Sequence, residues 1–541
     1  MRRCVFFIAL LVTALLLLGP IRSRAECPCM KDTLDPPFPA WVFGHVVWED
    51  ESTTQSVYDL VHGYLTRGVP VDAVIIDSPW ETAYNDFVVD EERYPDMGKL
   101  IADLHANGIR VIFWITAMVN QEDSEYQSAL EHGYFVKGME ARSWWKGTGG
   151  MLDYDNPEAL QWWHQRMDRA LELGIDGWKV DGTDPLMLYQ GWKRRQDYAT
   201  KYYSDFYDYS REKTGRKIVA MARPMEQGIN ESTLHLPGWA NPLGLGVWLR
   251  FAPVEKSFAS WVGDQDPTFD GLAIARRHVL RSAREGYLII GSDIGGYRGG
   301  GPYQEVLLRW AQFGALTPFM ENGGIGEHRP WRFDDETLDI YRAYALLHQA
   351  LGPYLYSEAV EAWRQGRSLI LPLGSGEEYL LGRDVLVAPV RRAGGKVRVT
   401  LPQGDDWWPL FTEADAPELE KCRIRNSGPP LLSGGCSFTH AYGLASYPVF
   451  FRAGALVPVD VADARPLFAG ILELAGKSRA VLVVPSASPV EEEARLTVHE
   501  EGKIDLIFTG AVRPGAADWP SFVVASPWPT IPEDAPAIGW R

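Results

Sequence analysis

The chain has 541 residues, 46% hydrophobic and 23% charged, the balance of an ordered globular protein and not of a disordered, collagen-like or multi-span membrane chain. Its 53 Lys and Arg against 71 Asp and Glu give a formal charge of −18; a polyanion is repelled on average, so nucleic acid is not an expected partner. A chain of this length builds a large core without a metal or disulfide staple. The 21 Trp, 23 Tyr and 21 Phe are read first as core filling, although flat apolar rings with polar edges also suit ring-shaped polar ligands.

Taken in chain order, the first segment serves targeting. Arg2 and Arg3 precede the apolar run Val5–Gly19, and Ser23-Arg24-Ala25 sets small residues three and one before a cut. This is the layout of a secretory signal peptide over residues 1–25. The run is short for a membrane span, which needs roughly 20 residues. An uncleaved N-terminal membrane anchor is the second reading, and no later segment is long and apolar enough to span. The expected location is therefore secreted, periplasmic or in the secretory-pathway lumen. Cys4 leaves with the signal, and Cys27, Cys29, Cys422 and Cys436 remain. Cys422–Cys436 is the favoured pair in an oxidising compartment; the paired His/Cys spacing of zinc sites is missing. Asn230-Glu231-Ser232 is a glycosylation sequon if the host is eukaryotic.

Beyond this, strands and helices alternate. Ala73–Ile76 is a short apolar run ending in Asp77, read as a buried strand. Leu100 to His105 is helical and Gly108 ends it; Arg110 to Ile115 is the next strand. Asn156 caps a long helix with Pro157 at its first position, and Gly174 stops it. Gly177–Val180 is a strand ending in Asp181, Lys217 to Ala222 one ending in Arg223, and Leu288–Ile290 leads to Asp293. Val306 to Phe313 and Leu338 to Leu351 are helical. From about Leu369, short runs such as Val385–Ala388 and Val397–Val399 alternate with Gly/Pro turns, as in a β-sandwich. The expected fold class is α/β, a (β/α)8 TIM barrel over residues 38–355 followed by a C-terminal all-β sandwich over 366–460 and a distal β-rich segment over 461–541. In such a barrel the site lies at the C-terminal ends of the strands. One Asp there is most simply a helix cap; several polar groups ending successive strands point to a shared site.

Two segments carry the chemistry. The first is Gly174-Ile175-Asp176-Gly177-Trp178-Lys179-Val180-Asp181; the second is Trp261-Val262-Gly263-Asp264, followed by Gly291-Ser292-Asp293-Ile294-Gly295-Gly296-Tyr297. With Arg309-Trp310, Pro318-Phe319-Met320, Leu401-Pro402-Gln403-Gly404 and Phe451-Arg452-Ala453-Gly454, their order and spacing resemble glycoside hydrolase family 31, the retaining α-glycosidases, from about Phe38 to Val459. The resemblance implies that Asp181 is the nucleophile and Asp264 the general acid/base of a double displacement through a covalent glycosyl-enzyme intermediate. It implies sugar-binding roles for Asp77, matched to the Asp of the family's first strand, and for Trp114, Trp145, Arg223, Trp261, Asp293 and Tyr297. Lys179 shares a strand face with Asp181 and is read as either a structural ion pair or a site residue. No cofactor or metal is implied, and the partner is an oligosaccharide or glycoside.

The chain also departs from the family pattern. The Arg and His that follow Pro-Phe-Met in family α-glucosidases are here Glu321 and Gly323, and His328 stands as the replacement for that His. Asp181-Gly182-Thr183-Asp184 with Lys179 ahead of it looks more like the galactosidase and xylosidase branches. The family's N-terminal β-sandwich, which lends a loop to the sugar site, has no room between Ala25 and Phe38, so the expected pocket is more open or completed by another chain. Competing readings are an α-transglycosylase on the same scaffold, a rarer α-glucan lyase, a sugar-binding protein that has lost catalysis, and a metal-dependent isomerase using Asp77, Asp181 and Asp293 as ligands.

Overall fold

The computed structural model describes residues 35–182, 192–228, 247–374, 376–411, 417–424, 431–461, 478–484, 490–498, 504–512 and 521–524. The signal segment, Cys4, Cys27, Cys29, Thr183, Asp184 and the sequon Asn230-Glu231-Ser232 lie outside the described residues.

Eight short strands form a closed parallel barrel: β1 His45–Glu49, β2 Ala73–Ile76, β3 Arg110–Ile115, β4 Gly177–Val180, β5 Val219–Ala222, β6 Ala259–Val262, β7 Ile290–Ile294 and β8 Met320–Asn322. Neighbours in sequence are neighbours in space, and β8 closes on β1 through His45 opposite Met320 and Val46 opposite Glu321. Most of these strands are buried along their whole length, as expected when helices cover the outside and side chains fill the inside. The strand β1 was missed in the sequence. Its run His-Val-Val-Trp-Glu has a polar residue at each end, so it does not read as an apolar block. In consequence Ala73–Ile76, and with it Asp77, belongs to the second barrel strand and not to the first. Asp293 lies inside β7 instead of after it.

Helices α1 Thr54–Leu65, α2 Met97–Ala106, α3 Pro157–Glu172, α4 Trp192–Thr214, α5 Phe269–Arg284, α6 Gln304–Ala315 and α7 Asp335–Arg364 pack around the barrel. Local chemistry sets their starts. Asn156 accepts from the amides of Glu158 and Ala159 ahead of Pro157, Thr268 accepts from the Gly271 amide, and Asp334 accepts from the Thr337 amide, each meeting an N–H with no helical partner. The helix α7 runs 30 residues, well past Leu351, and carries Pro353 inside it. At the N-terminal end of the barrel, His45 is buried with Nε2 2.8 Å from the Tyr341 hydroxyl of α7 and Nδ1 2.7 Å from the Pro70 carbonyl. Burial lowers its pKa to about 4, so the ring stays neutral and structural there.

The β-sandwich follows. A five-stranded antiparallel sheet takes the order β9 Ile370–Pro372, β10 Tyr379–Leu381, β11 Val385–Val387, β15 Val449–Arg452, β13 Trp407–Pro409, and β12 Lys396–Thr400 pairs with β14 Ser437–Ala441. In β12 buried valines alternate with exposed residues, the pattern of a strand with one face on a core. Cys422 and Cys436 are disulfide-bonded across a 14-residue separation. Leu456–Val461, Ser478–Val483 and Ser521–Val524 form a further three-stranded sheet, and Val490–Val498 pairs with Ile504–Val512.

The joint between barrel and sandwich is made by α6, whose residues Val306–Ala315 are all buried. Arg309 donates to the carbonyls of Ser446 (3.0 Å) and Tyr442 (2.9 Å), and to Gln312 Oε1 (3.0 Å). Truncating it removes three hydrogen bonds, two of them to sandwich carbonyls. Arg309→Leu is therefore expected to cost about 2–4 kcal/mol, read as a lowered midpoint in chemical denaturation; an unchanged midpoint contradicts the assignment of this joint.

Candidate active site

The C-terminal ends of the barrel strands gather Trp48 (β1), Asp77 (after β2), Trp114 (β3), Lys179 and Asp181 (β4 and its end), Arg223 (after β5), Trp261 and Asp264 (β6 and its end), Asp293 (β7) and Glu321 (β8). Lys179, Asp77, Arg223, Asp293, Glu321 and the three tryptophans are buried.

Arg223 is the hinge of this cluster. Its Nε–H donates to Asp181 Oδ1 at 2.9 Å and its terminal nitrogen to Asp264 Oδ2 at 3.0 Å. The two carboxyls are therefore held apart by no more than one guanidinium fork and two hydrogen bonds. Asp181 also accepts from the Gly182 amide (2.8 Å) and from the Trp114 indole (3.3 Å). Burial works against its charge, but the Arg223 guanidinium, with Lys179 behind it, offsets this and holds its pKa below the usual carboxylate range. The Asp264 side chain is the more open of the pair, 28% exposed against 16% for Asp181.

Asp264 sits in the left-handed region, φ 66°, a conformation that a non-glycine residue holds only when its surroundings enforce it. Here its amide donates to Asp293 Oδ2 at 3.0 Å. A Cβ on Gly263 would stand 2.5 Å from Trp261 Nε1 and 2.8 Å from Asp293 Oδ2, so only glycine fits this approach.

Lys179 donates to Asp77 Oδ2 at 2.8 Å, lies 3.5 Å from the Trp48 ring centroid and 5.3 Å from that of Trp261. Burial alone disfavours its charge; the negative charges of Asp77, Glu321 and Asp293 outweigh that and raise its pKa. The ammonium over Trp48 is a cation–π contact inside the protein, where water does not compete. Glu321 Oε1 accepts from the Trp48 indole at 2.5 Å. Tyr297 stacks on Trp48 at 6.0 Å between centroids.

Two residues named from the sequence stand differently. Trp145 is 49% exposed and lies edge-on to Trp144 at 5.1 Å, at the rim. His328 is buried with Nε2 2.8 Å from the Gly296 carbonyl and Nδ1 3.5 Å from that of Gly326. Burial lowers its pKa, so Nε2–H of a neutral ring donates to Gly296 and fastens the Gly295–Tyr297 turn. Trp48 and Tyr202, whose hydroxyl donates to the Asp181 carbonyl at 2.5 Å, were not found in the sequence. For Trp48 the available sign was a Trp near the end of a short Val-Val run; for Tyr202, on a long polar helix, there was none. Among the described residues no group of three or more His, Cys, Asp or Glu is placed to hold a metal ion, and the cations of Lys179 and Arg223 already sit against Asp77 and Asp181.

Residues 35–358 match the glycosyl hydrolases family 31 TIM-barrel domain and residues 371–457 the glycosyl hydrolase family 31 C-terminal domain. The chain belongs to glycosyl hydrolase family 31. An alpha-xylosidase of Emericella nidulans is 25% identical over 471 residues, 79% of this chain and 54% of that protein. Alpha-glucosidase 2 of Bacillus thermoamyloliquefaciens is 26% identical over 396 residues, 68% and 49%. The chain thus spans about half the length of the curated relatives it matches. The fold is also that of a family 31 dextranase of Flavobacterium johnsoniae, solved with glucose, with a TM-score of 0.65 at 21% identity over 78% of this chain and 53% of that one.

The Arg223 contact gives a pH test. Asp181 has a depressed pKa, so it stays ionised as pH falls until that depressed value is reached. Removing the guanidinium raises the pKa and brings protonation to a higher pH. Arg223→Gln is expected to move the acid limb of the kcat/KM profile upward by about one pH unit; an acid limb that stays in place contradicts the pairing as the cause.

Proposed function

We propose that the chain is a retaining α-glycosidase that hydrolyses terminal α-linked sugars. The reading is carried by one observation: Arg223 holds Asp181 and Asp264 together at the barrel mouth. In the first step an Asp181 oxygen attacks the anomeric carbon as the glycosidic C–O bond breaks, and Asp264 gives its proton to the leaving oxygen. In the second, the Asp264 carboxylate takes a proton from water, the water oxygen attacks the anomeric carbon, and the ester to Asp181 breaks. Two inversions return the α configuration. Both transition states carry positive charge at the ring, which the ionised Asp181 favours. A sugar hydroxyl in place of water makes the same intermediate a transglycosylation donor, and product analysis separates the two.

In this reading Asp77 and Tyr297 take the sugar hydroxyls, Asp293, buried and bonded to the Asp264 amide, acts on the acid/base, Trp114 and Trp261 wall the ring, and Trp145 meets the more distant part of the substrate at the rim. Lys179 and His328 act by position, one on Asp77 and the other on the Gly295–Tyr297 turn. The Lys179-Val180-Asp181 form favours α-xylosides and α-galactosides beside α-glucosides. We place the protein in an oxidising, secretory setting, which the Cys422–Cys436 disulfide supports; among the described residues no helix is long and apolar enough to cross a membrane. The domain division 38–355, 366–460 and 461–541 is kept as the working one.

Asp181→Ala and Asp264→Ala are each expected to lower kcat on nitrophenyl α-glycosides (glucose, xylose, galactose, N-acetylgalactosamine) by at least about 10³-fold, with β-glycosides untouched by the parent. Azide is expected to rescue Asp264→Ala with an α-glycosyl azide and Asp181→Ala with the β product, because only the former reacts through the enzyme ester. Near-normal turnover in either variant, or the same azide anomer from both, contradicts the roles. Chelator treatment is expected to leave activity intact; its loss would favour the metal-dependent alternative.

A further inference from the structure

Glu321 stands where family α-glucosidases carry Arg, and it has no part in the two steps above. Asp293 and Glu321 are register partners on the adjacent parallel strands β7 and β8, both shut away from water. Each has one oxygen accounted for. Glu321 Oε1 accepts from the Trp48 indole (2.5 Å), and Asp293 Oδ2 accepts from the Asp264 amide (3.0 Å). The other two, Glu321 Oε2 and Asp293 Oδ1, are buried and meet no N–H or other donor, and the β7–β8 register sets the two residues side by side. Two ionised carboxylates have only acceptors to offer one another. Lys179 on β4 faces both, but it is hydrogen-bonded to Asp77 and its one charge is spread over three acids. The further charge facing Asp293 is Asp264, another acid. One proton between the inner oxygens turns repulsion into a charge-assisted O–H···O bond.

We propose that Glu321 and Asp293 share one buried proton between Glu321 Oε2 and Asp293 Oδ1, and that this pair positions the acid/base Asp264. Asp293 is the link: its inner oxygen takes the shared proton and its outer oxygen holds the Asp264 amide in the left-handed turn. Glu321 is a positioning residue acting through Asp293. The role rests on the assignment of Asp264 given above; the shared proton does not. Burial is the main cause that raises both groups above the usual carboxylate range; at Asp293 the Glu321 charge adds to it, while at Glu321 the Lys179 charge and the contacts with Trp48 and Asp293 work against it. The proton is therefore held at neutral pH and lost as pH rises. Its loss leaves two adjacent buried carboxylates that push apart and loosen Asp264, an effect on the alkaline side.

The test compares Glu321→Ala with Glu321→Gln in the full chain. Gln keeps both contacts at every pH, since its oxygen accepts from Trp48 and its amide donates to Asp293. At neutral pH the wild type is expected to show one infrared band of a protonated carboxyl in excess of those that remain in both variants. Glu321→Ala is expected to lose about tenfold or more in kcat/KM on an aryl α-glycoside. Glu321→Gln is expected to recover most of that and to keep alkaline activity that the wild type loses. A wild type without that excess band overturns the shared proton. Equal impairment of the two variants with parallel pH profiles overturns the positioning role. A wild type inert on every α-glycoside overturns the glycosidase reading and the positioning role with it, and the infrared band then decides the shared proton by itself.

Discussion

The structure is organised by a charge problem. Asp77, Asp181, Asp264, Asp293 and Glu321 converge on one rim of the barrel, against the cations Lys179 and Arg223. Each ion taken from water costs several kcal/mol after relaxation unless it is paired. The cations are accordingly placed between acids and not beside them. Lys179 stands against Asp77 with the Trp48 face above it, and Arg223 bridges Asp181 and Asp264 with Trp261 at 4.8 Å. Asp293 and Glu321 have only a share of the Lys179 charge, and the proton proposed between them makes that corner neutral enough to bury.

This arrangement depends on the closed barrel. Parallel strands of three to six residues bring groups distant in sequence to one level, because each strand ends in the same layer. Trp114 on β3 reaches Asp181 after β4, and Asp293 on β7 reaches Asp264 after β6. The opposite end contains His45, neutral and tied to α7, and carries structure. The sandwich meets α6 through the Tyr442 and Ser446 carbonyls, which are distant in sequence and accept from Arg309 on the helix that follows Asp293.

Much of this was legible in the sequence because strand ends are marked by a change from apolar to charged residues. Ile76 to Asp77, Val180 to Asp181 and Ala222 to Arg223 all show it, and the motif around Asp264 is locally distinctive. What escaped did so for physical reasons. The strand β1 has polar His45 and Glu49 at its ends, and the barrel, not periodicity, makes it a strand. Helix α7 continues through Pro353 because the preceding turns are packed on both sides, which outweighs the local cost of proline. The substitution to Glu321 was visible, but its partner was not, since only the β7–β8 register reveals Asp293 beside it. His328 was read toward the sugar, whereas burial spends its Nε2 on the Gly296 carbonyl.

The central claim, that the Asp181 oxygen forms a bond to the sugar while Asp264 manages the proton, is tested most directly by trapping. A ring-fluorinated α-glycosyl fluoride slows both steps by destabilising positive charge at the ring, and its good leaving group lets the first step outrun the second. Peptide mass spectrometry of the trapped protein is expected to place one glycosyl ester on the peptide containing Asp181 and none in the Asp181→Ala variant. An adduct on Asp77 or Asp293, or full turnover with no adduct at any acid, would contradict the account.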